Sequence, residues 1–390
     1  MNTQVDVKVL SKAARAVKGI AGNGSFMPIL SKARITTKNN EIEILGTNME
    51  SWIKYSMFCD ADAGAQVFID AGVLNDAVKG SKGFQSFGIN AGVLNVGALH
   101  FEGCADDALD FPIQTAHEFE SRIIEFSGRD FKQFVKRNKA TSQKIGQTTR
   151  INLTCVNAEY NKHAPYGARF TTTDGYSLNN ESYGEQLDAS ENTGRVLIPM
   201  EYLTKAAAAA GMKDTITLDV LSSADGAVVR VSIASTAGDI EYYIRTIAED
   251  FPDFQRVIPP MCDALAVFDI DADALARAVN AAKQVAPEDS RAVKLTICTA
   301  FEGAGYDSLE ISASSRAGSF TDSIAIIRPA GIPFGAELKP VYFDADYLSA
   351  IAGFEELSKN IRMYLYAPLH GARITYNEDQ VAVLMPVNIT

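Results

Sequence analysis

The sequence predicts an α+β chain in which one domain is used three times. Three observations point there: a repeated phrase, an amphipathic helix upstream of each copy, and strand segments between the two. The phrase reads Val67-Phe-Ile-Asp-Ala-Gly-Val-Leu74, Val196-Leu-Ile-Pro-Met-Glu-Tyr-Leu203 and Val341-Tyr-Phe-Asp-Ala-Asp-Tyr-Leu348. Each copy is a short apolar strand, an Asp or Pro at the turn, then the first turn of a helix carrying an inward Leu. The copies are spaced by roughly 130 and 145 residues, about one domain length.

The upstream helices fall at Val7 to Ile20, Gly128 to Ala140 and Asp271 to Val285. In the first, Val9, Leu10, Ala13, Ala14 and Val17 recur at helical spacing with Lys8, Lys12, Arg15 and Lys18 between them; in the third, Ala274, Leu275, Ala278, Val279 and Ala282 do the same. Between helix and phrase, the β-branched runs Ile42 to Asn48, Ala168 to Asp174 and Leu309 to Ser315 read as equivalent strands. After the phrase come a helix and hairpin-like strands, as at Ile216 to Leu221, Ala227 to Ala234 and Ile240 to Ile247. Leu109-Asp-Phe-Pro112 and Glu249-Asp-Phe-Pro252 close the first two units, since proline cannot donate to a sheet ladder. Domains at 1–120, 121–259 and 260–390 follow, each two helices packed on antiparallel sheets.

Composition sets the class. The 390 residues are 47% hydrophobic and 22% charged, ordinary values for a globular chain. No apolar run approaches the ~20 residues of a membrane span, and the opening Met-Asn-Thr-Gln-Val-Asp carries no secretory pattern. Five scattered cysteines without a CxxC pair argue against a disulfide framework or a thiolate metal site, so a reducing cytoplasm is expected. Cys155 and Cys298 are expected as small core hydrophobes in strands.

The net charge of −12 alone discourages a nucleic-acid reading, but its distribution does not. From Arg129 to Arg150 the chain carries Arg129, Lys132, Lys136, Arg137, Lys139, Lys144 and Arg150 against one acid, Asp130. The helix from Lys8 to Lys18 is likewise basic. A solvated helix face explains any one such helix; equivalent helices of a repeat, however, end up on one side of an assembly. A basic lining inside an acidic shell attracts a phosphate backbone selectively.

Catalytic readings are poor. His100, His117, His163 and His370 are isolated, without the spacing of a metal pair, and Asp174 near Ser177 has no GxSxG or partnered histidine. There is no GxxxxGK[ST] or GxGxxG, so the chain itself is not expected to hydrolyse ATP, and no cofactor or metal is expected.

Four stretches in order resemble the bacterial DNA polymerase III beta subunit, the sliding clamp family, over the whole chain. Phe26-Met-Pro-Ile-Leu30 with Leu45-Gly-Thr-Asn-Met-Glu50 is similar to "TLPIL … GTDLE", and Thr173-Asp-Gly-Tyr-Ser-Leu178 to "TDGHRL". Asp250-Phe-Pro-Asp-Phe-Gln-Arg-Val-Ile-Pro259 is similar to "RFPDYRRVLP", and Val383-Leu-Met-Pro-Val387 to "VVMPM". The resemblance implies a head-to-tail homodimeric ring of three domains per subunit, helices facing a central hole and sheets outside. Such a ring encircles duplex DNA without reading sequence and tethers the replicative polymerase. A separate clamp-loader ATPase would place it there. Sliding requires exchangeable phosphate attraction rather than base-edge contacts; the DNA-facing residues implied are Lys8, Lys12, Arg15, Lys132, Lys136, Arg137 and Gln147.

The resemblance also implies a pocket for short motifs of polymerases, the loader and other clamp-binding proteins. Carried over position by position, it comprises Thr173, Gly175, Tyr176, Leu178, Pro252, Val257, Val383, Met385, Pro386 and, at its edge, Arg150. An apolar slot with a glycine for close approach and an adaptable methionine suits that task. Departures are Tyr176-Ser177 for the family's His-Arg, Asn23-Gly24-Ser25 where a basic residue is usual, Asn280 and Ala281 for interface aliphatics, and Asn388 for a terminal basic residue. The alternative function is a three-domain enzyme or scaffold binding a small molecule in a cleft near Thr173 and Pro252.

Overall fold

The computed structural model describes residues 3–22, 24, 27–38, 40–59, 64–90, 92–103, 110–112, 117–144, 146, 148–161, 167–184, 193–223, 226–299, 307–330, 339–354, 358–367 and 369–389. Its elements repeat in one order, strand, helix, four strands, helix, three strands, passed through three times. The first pass is β1 (Thr3–Asp6), α1 (Val7–Ile20), β2 (Lys32–Lys38), β3 (Glu41–Thr47), β4 (Ser51–Phe58), β5 (Gln66–Asp70), α2 (Ala71–Val78), β6 (Phe84–Asn90), β7 (Val93–Val96) and β8 (Leu99–Glu102). The second is β9 (Glu118–Ser127), α3 (Gly128–Ala140), β10 (Cys155–Tyr160), β11 (Ala168–Thr173), β12 (Ser177–Tyr183), β13 (Gly194–Pro199), α4 (Met200–Ala209), β14 (Thr215–Ser223), β15 (Gly226–Ala234) and β16 (Asp239–Arg245). The third is β17 (Ala266–Asp271), α5 (Ala272–Lys283), β18 (Ala292–Cys298), β19 (Ser308–Ser315), β20 (Gly318–Ala325), β21 (Val341–Asp344), α6 (Ala345–Ala352), β22 (Asn360–Leu365), β23 (Ala372–Asn377) and β24 (Gln380–Leu384).

The strand-to-helix corners have a local cause. Asp6, Asp70, Asp271 and Asp344 sit at N-caps and accept backbone N–H groups: Lys8 at 2.9 Å, Gly72 and Val73 both at 2.9 Å, Ala274 at 2.7 Å, and Asp346 at 2.7 Å. Pro199 holds the same place before α4 and offers no side-chain acceptor. Each helix then buries one stripe. For α1 it is Val7, Leu10, Ala13, Ala14, Val17 and Ile20; for α5 it is Ala272, Leu275, Ala278, Val279 and Ala282. The latter packs on α6 and on Phe268, Phe343 and Ile361, all fully buried.

The chain divides into two compact units. One comprises residues 1–135, 160–168 and 185–248; the other comprises 136–159, 169–184 and 249–390. The middle repeat is shared between them because its strands extend the sheets of its neighbours. In the first unit an eight-stranded sheet runs β5-β2-β3-β4-β16-β15-β14-β9, the junction lying where β4 pairs antiparallel with β16 from Ser51↔Ile244 to Ser56↔Asp239. In the second, β12 pairs antiparallel with β24 from Ser177↔Leu384 to Glu181↔Gln380, and the sheet continues through β23 and β22 to β17. A four-stranded sheet completes each unit, β1-β6-β7-β8 in the first and β20-β19-β18-β21 in the second.

Cys155 is fully buried in β10, as expected, and burial pushes its thiol up to about 11. Cys298 is also in a strand but exposed, as the last residue of β18, which corrects the expectation of a core role. Among the described residues no helix is long and apolar enough to cross a membrane.

Candidate functional site

The site grows from the turn between β11 and β12. Thr173 Oγ1 donates to the Ser177 carbonyl at 2.7 Å, and Asp174 Oδ1 accepts the N–H groups of Tyr176 at 2.9 Å and Ser177 at 2.7 Å. These bonds close a tight loop, and Gly175 supplies the left-handed residue it needs, at φ +93°. The loop throws Tyr176 outward, 64% exposed, and turns Leu178 into the core. Leu178 faces Val383 across the β12–β24 ladder. Beyond β24 the chain returns to the loop: Met385 N–H donates to the Tyr176 carbonyl at 2.8 Å, and Val387 N–H to the Tyr342 carbonyl at 2.7 Å. A Cβ on Gly371 would lie 3.0 Å from Val383 Cγ1 and 3.1 Å from Met385 Sδ, so the loop before β23 closes on the same two side chains. Thr173, Gly175, Tyr176, Leu178, Val383, Met385 and Pro386 thus share one neighbourhood, with Leu178 and Val383 buried and Met385 and Pro386 half-buried.

Pro252 and Val257 arrive by another route. Their segment hangs from β23, where Arg373 Nη1 donates to the Pro259 carbonyl at 3.2 Å, and Arg373 is the ladder partner of Val383. Asn152 Nδ2 donates to the Asp250 carbonyl at 2.7 Å and ties the segment to the turn that follows Arg150. Pro252 and Arg150 are exposed, and Val257 is 48% exposed although apolar.

On the other side of Tyr176 lies a hollow of about 540 Å³ whose walls include Lys139, Lys144, Tyr176, Arg291, Asp346 and Tyr347. Its carboxylates are engaged. Asp174 holds the loop, and Asp344 caps α6. Burial works to raise the Asp346 carboxyl, but bonds to Lys283 and Arg291 outweigh it and hold the group below the usual carboxylate range. The Tyr347 hydroxyl is pushed up, first by burial and then by its bond to Asp174, while its ring stacks on Tyr176 at 6.4 Å between centroids. Lys139 and Lys144 are exposed, so the mouth is basic and aromatic. The residue-by-residue reading missed Tyr347. Its signal was the repeated phrase itself, in which Tyr202 and Tyr347 hold equivalent places.

The first unit contains the same loop between β3 and β4. Thr47 Oγ1 donates to the Ser51 carbonyl at 2.9 Å, and Asn48 Oδ1 accepts from Glu50 N at 3.1 Å and Ser51 N at 2.8 Å. Tyr202 of α4 completes it, donating its hydroxyl to Glu50 Oε2 at 2.8 Å and accepting from Asn48 Nδ2 at 2.9 Å.

The basic residues separate by helix face. Lys8 and Arg15 are exposed on α1, while Lys12 is half-buried with its ammonium 3.8 Å from Asp214. On α3, Lys132 is half-buried and Lys136 is exposed, reaching the Gly353 carbonyl at 3.5 Å. Arg137 corrects the expectation. It is 4% exposed and forks onto the fully buried Glu181, Nε to Oε1 at 2.9 Å and Nη2 to Oε2 at 2.8 Å, with Asn138 and Tyr183 also bonded to that carboxylate. Position 137 follows the buried Phe134 by three residues and so shares the inward stripe of α3; counting charge without face misassigns it. Gln147 lies outside the described residues.

No family model matches the chain. Among curated proteins it is similar to the beta sliding clamp of Caulobacter vibrioides, 24% identical over 307 residues that cover 76% of this chain and 78% of the relative. Among solved structures it is similar to the DNA polymerase sliding clamp from Bacillus subtilis, at TM-score 0.81 and 17% identity, and to the DNA polymerase III beta subunit from Thermotoga maritima, at 0.78 and 18%. Each of these two likenesses covers 100% of both chains, and at such identities it establishes the fold.

Proposed function

We propose that this chain, a divergent member of the bacterial beta sliding clamp family, is a DNA polymerase processivity factor that closes into a homodimeric ring around duplex DNA. The observation that carries the reading is the pattern of joints. The strand after the β3–β4 loop meets the last strand of the next repeat, and the strand after the β11–β12 loop does the same. By that rule β20 should meet β8, and each of them is an edge strand of its own four-stranded sheet. Joining them between two copies gives β21-β18-β19-β20-β8-β7-β6-β1, the same order as the joints made within the chain. A head-to-tail contact that closes makes a ring and hides both edges. The domains so joined are 1–120, 121–259 and 260–390.

Lys8, Lys12, Arg15, Lys132 and Lys136 supply sequence-independent phosphate attraction, the kind a sliding ring needs. The neighbourhood of Thr173, Gly175, Tyr176, Leu178, Val383, Met385 and Pro386, with Pro252, Val257 and Arg150 alongside, takes a short peptide of the replicative polymerase, the clamp loader or another partner. Its half-buried methionine and exposed valine fit an apolar anchor, and the basic hollow beside Tyr176 fits a polar flank. The small-molecule enzyme reading has no comparable support. Retention on DNA tests the proposal. Loaded protein should stay on closed circles and run off after linearisation; equal loss from both would remove encirclement.

A further inference from the structure

Both joints inside the chain carry a latch, and the third lacks its parts. In the first unit the Tyr202 hydroxyl bonds Asn48 and Glu50 of the loop that opens β4; in the second the Tyr347 ring stacks on Tyr176 of the loop that opens β12, at 6.4 Å between centroids. The tyrosine always comes from the third residue of the helix after the repeated phrase. In α2 that residue is Val73, 56% exposed and without a polar side-chain atom. The matching loop precedes β20, where Ala317 N–H donates to Ser315 Oγ at 3.1 Å, as Gly175 N–H donates to Thr173 Oγ1 at 3.1 Å. The place of Asn48 and Asp174 is then taken by Arg316, an exposed side chain with donors only.

Resting on the ring reading above, we propose that the joint between two copies is built without the tyrosine latch, and that Val73 and Arg316 set its strength and make it the dissociable joint of the assembly. Where the other joints close a loop onto a tyrosine, this one sets a guanidinium opposite a valine. Its ladder is also shorter. β8 offers four residues, against seven in β16 and five in β24. The joint therefore rests on few ladder bonds and on apolar contact, with nothing holding the β20 loop to α2.

The test installs the missing latch. Val73→Tyr with Arg316→Asn reproduces the neutral Tyr202–Asn48 pair, and Val73→Phe with Arg316→Asn supplies the ring without the hydroxyl. Both positions are exposed, so both double variants should fold. A dilution series by sedimentation should show the tyrosine variant dissociating at roughly 25- to 100-fold lower concentration than the phenylalanine variant, the size of one net hydrogen bond at each of the ring's two joints. Dimers of equal strength in the two variants would overturn the latch while leaving the ring intact. Monomer alone at tens of micromolar in every form, a concentration at which a dimer weaker than ~1 μM still assembles, would remove the joint and the ring together.

Discussion

The joints of the two units share a frame and differ in what they present. At 47–51 and at 173–177 the same set of side-chain and backbone bonds builds the loop, and a tyrosine from the next repeat closes it. In the first unit the residue before the serine is Glu50, whose carboxylate takes the Tyr202 hydroxyl, so the loop is satisfied internally. In the second it is Tyr176, which cannot do so and instead stacks on Tyr347 with most of its surface in solvent. The ladders differ as well. Tyr55 faces Ile240 in the first, whereas Glu181 faces Gln380 in the second and needs Arg137 to be buried at all. One joint is a closed weld. The other leaves Tyr176 exposed beside Tyr347, and the proposed peptide site is placed there for that reason.

Removing residues 385–390 should give the largest effect, since it deletes the segment whose Met385 N–H returns to the Tyr176 carbonyl; the first unit makes the equivalent return through Arg245 N–H on the Glu50 carbonyl and keeps it. Calorimetry with a peptide carrying a Gln followed by aliphatic and aromatic residues should then register no binding, while retention on circular DNA persists. Unchanged affinity would move the partner site elsewhere.

Arg137→Ala should come next, costing about 3–5 kcal/mol by leaving Glu181 charged and buried without its partner. Chemical denaturation reads this loss, and replacing both residues with apolar ones of similar volume should recover most of it. A loss below about 1 kcal/mol, the scale of an exposed pair, would show that the buried ion pair of the second joint is no more demanding than the half-exposed Lys54–Glu241 pair of the first. Met385→Ala should weaken the same peptide by about 1–3 kcal/mol, the range of a central apolar contact.

The smallest effect belongs to the closed loop. Tyr202→Phe should cost about 0.5–1.5 kcal/mol at neutral pH. Burial is the main cause that raises the Tyr202 hydroxyl from 10.0 to about 12. A raised folded value stabilises fully below the unfolded value and is lost as pH rises through the folded one. Part of the alkaline loss of stability between 10 and 12 should therefore vanish in the variant. Identical pH profiles would mean that the hydroxyl is not held as described.

Much of this was legible in the sequence because it is local. The stripes of α1 and α5 read correctly at Leu10, Ala13, Ala14, Val17, Leu275, Ala278, Val279 and Ala282, each fixed by neighbours three and four positions away, while Val9 and Ala274 at the stripe margins are only half-buried. Arg137 did not, because a count of basic residues carries no face; Phe131, Phe134 and Asn138 around it were the available signal. Cys298 failed for a related reason, since membership of a strand does not say whether its last residue is covered. The site was half legible: resemblance named Thr173 and Met385, but Tyr347 acquires its role only when α6 is brought against a loop of another repeat.

By itself, then, the sequence determined the order of elements, the three-fold repeat and the N-caps of four of the six α-helices among the described residues, all written in contacts between near neighbours along the chain. The tertiary structure decided which edges meet. β4 finds β16 and β12 finds β24 because two distant strands match in register and their loops accept a tyrosine from the next helix, conditions that no window of sequence contains. That same pairing buried Arg137, gathered Val383 and Met385 beside Thr173, and left β8 and β20 as edge strands of their four-stranded sheets.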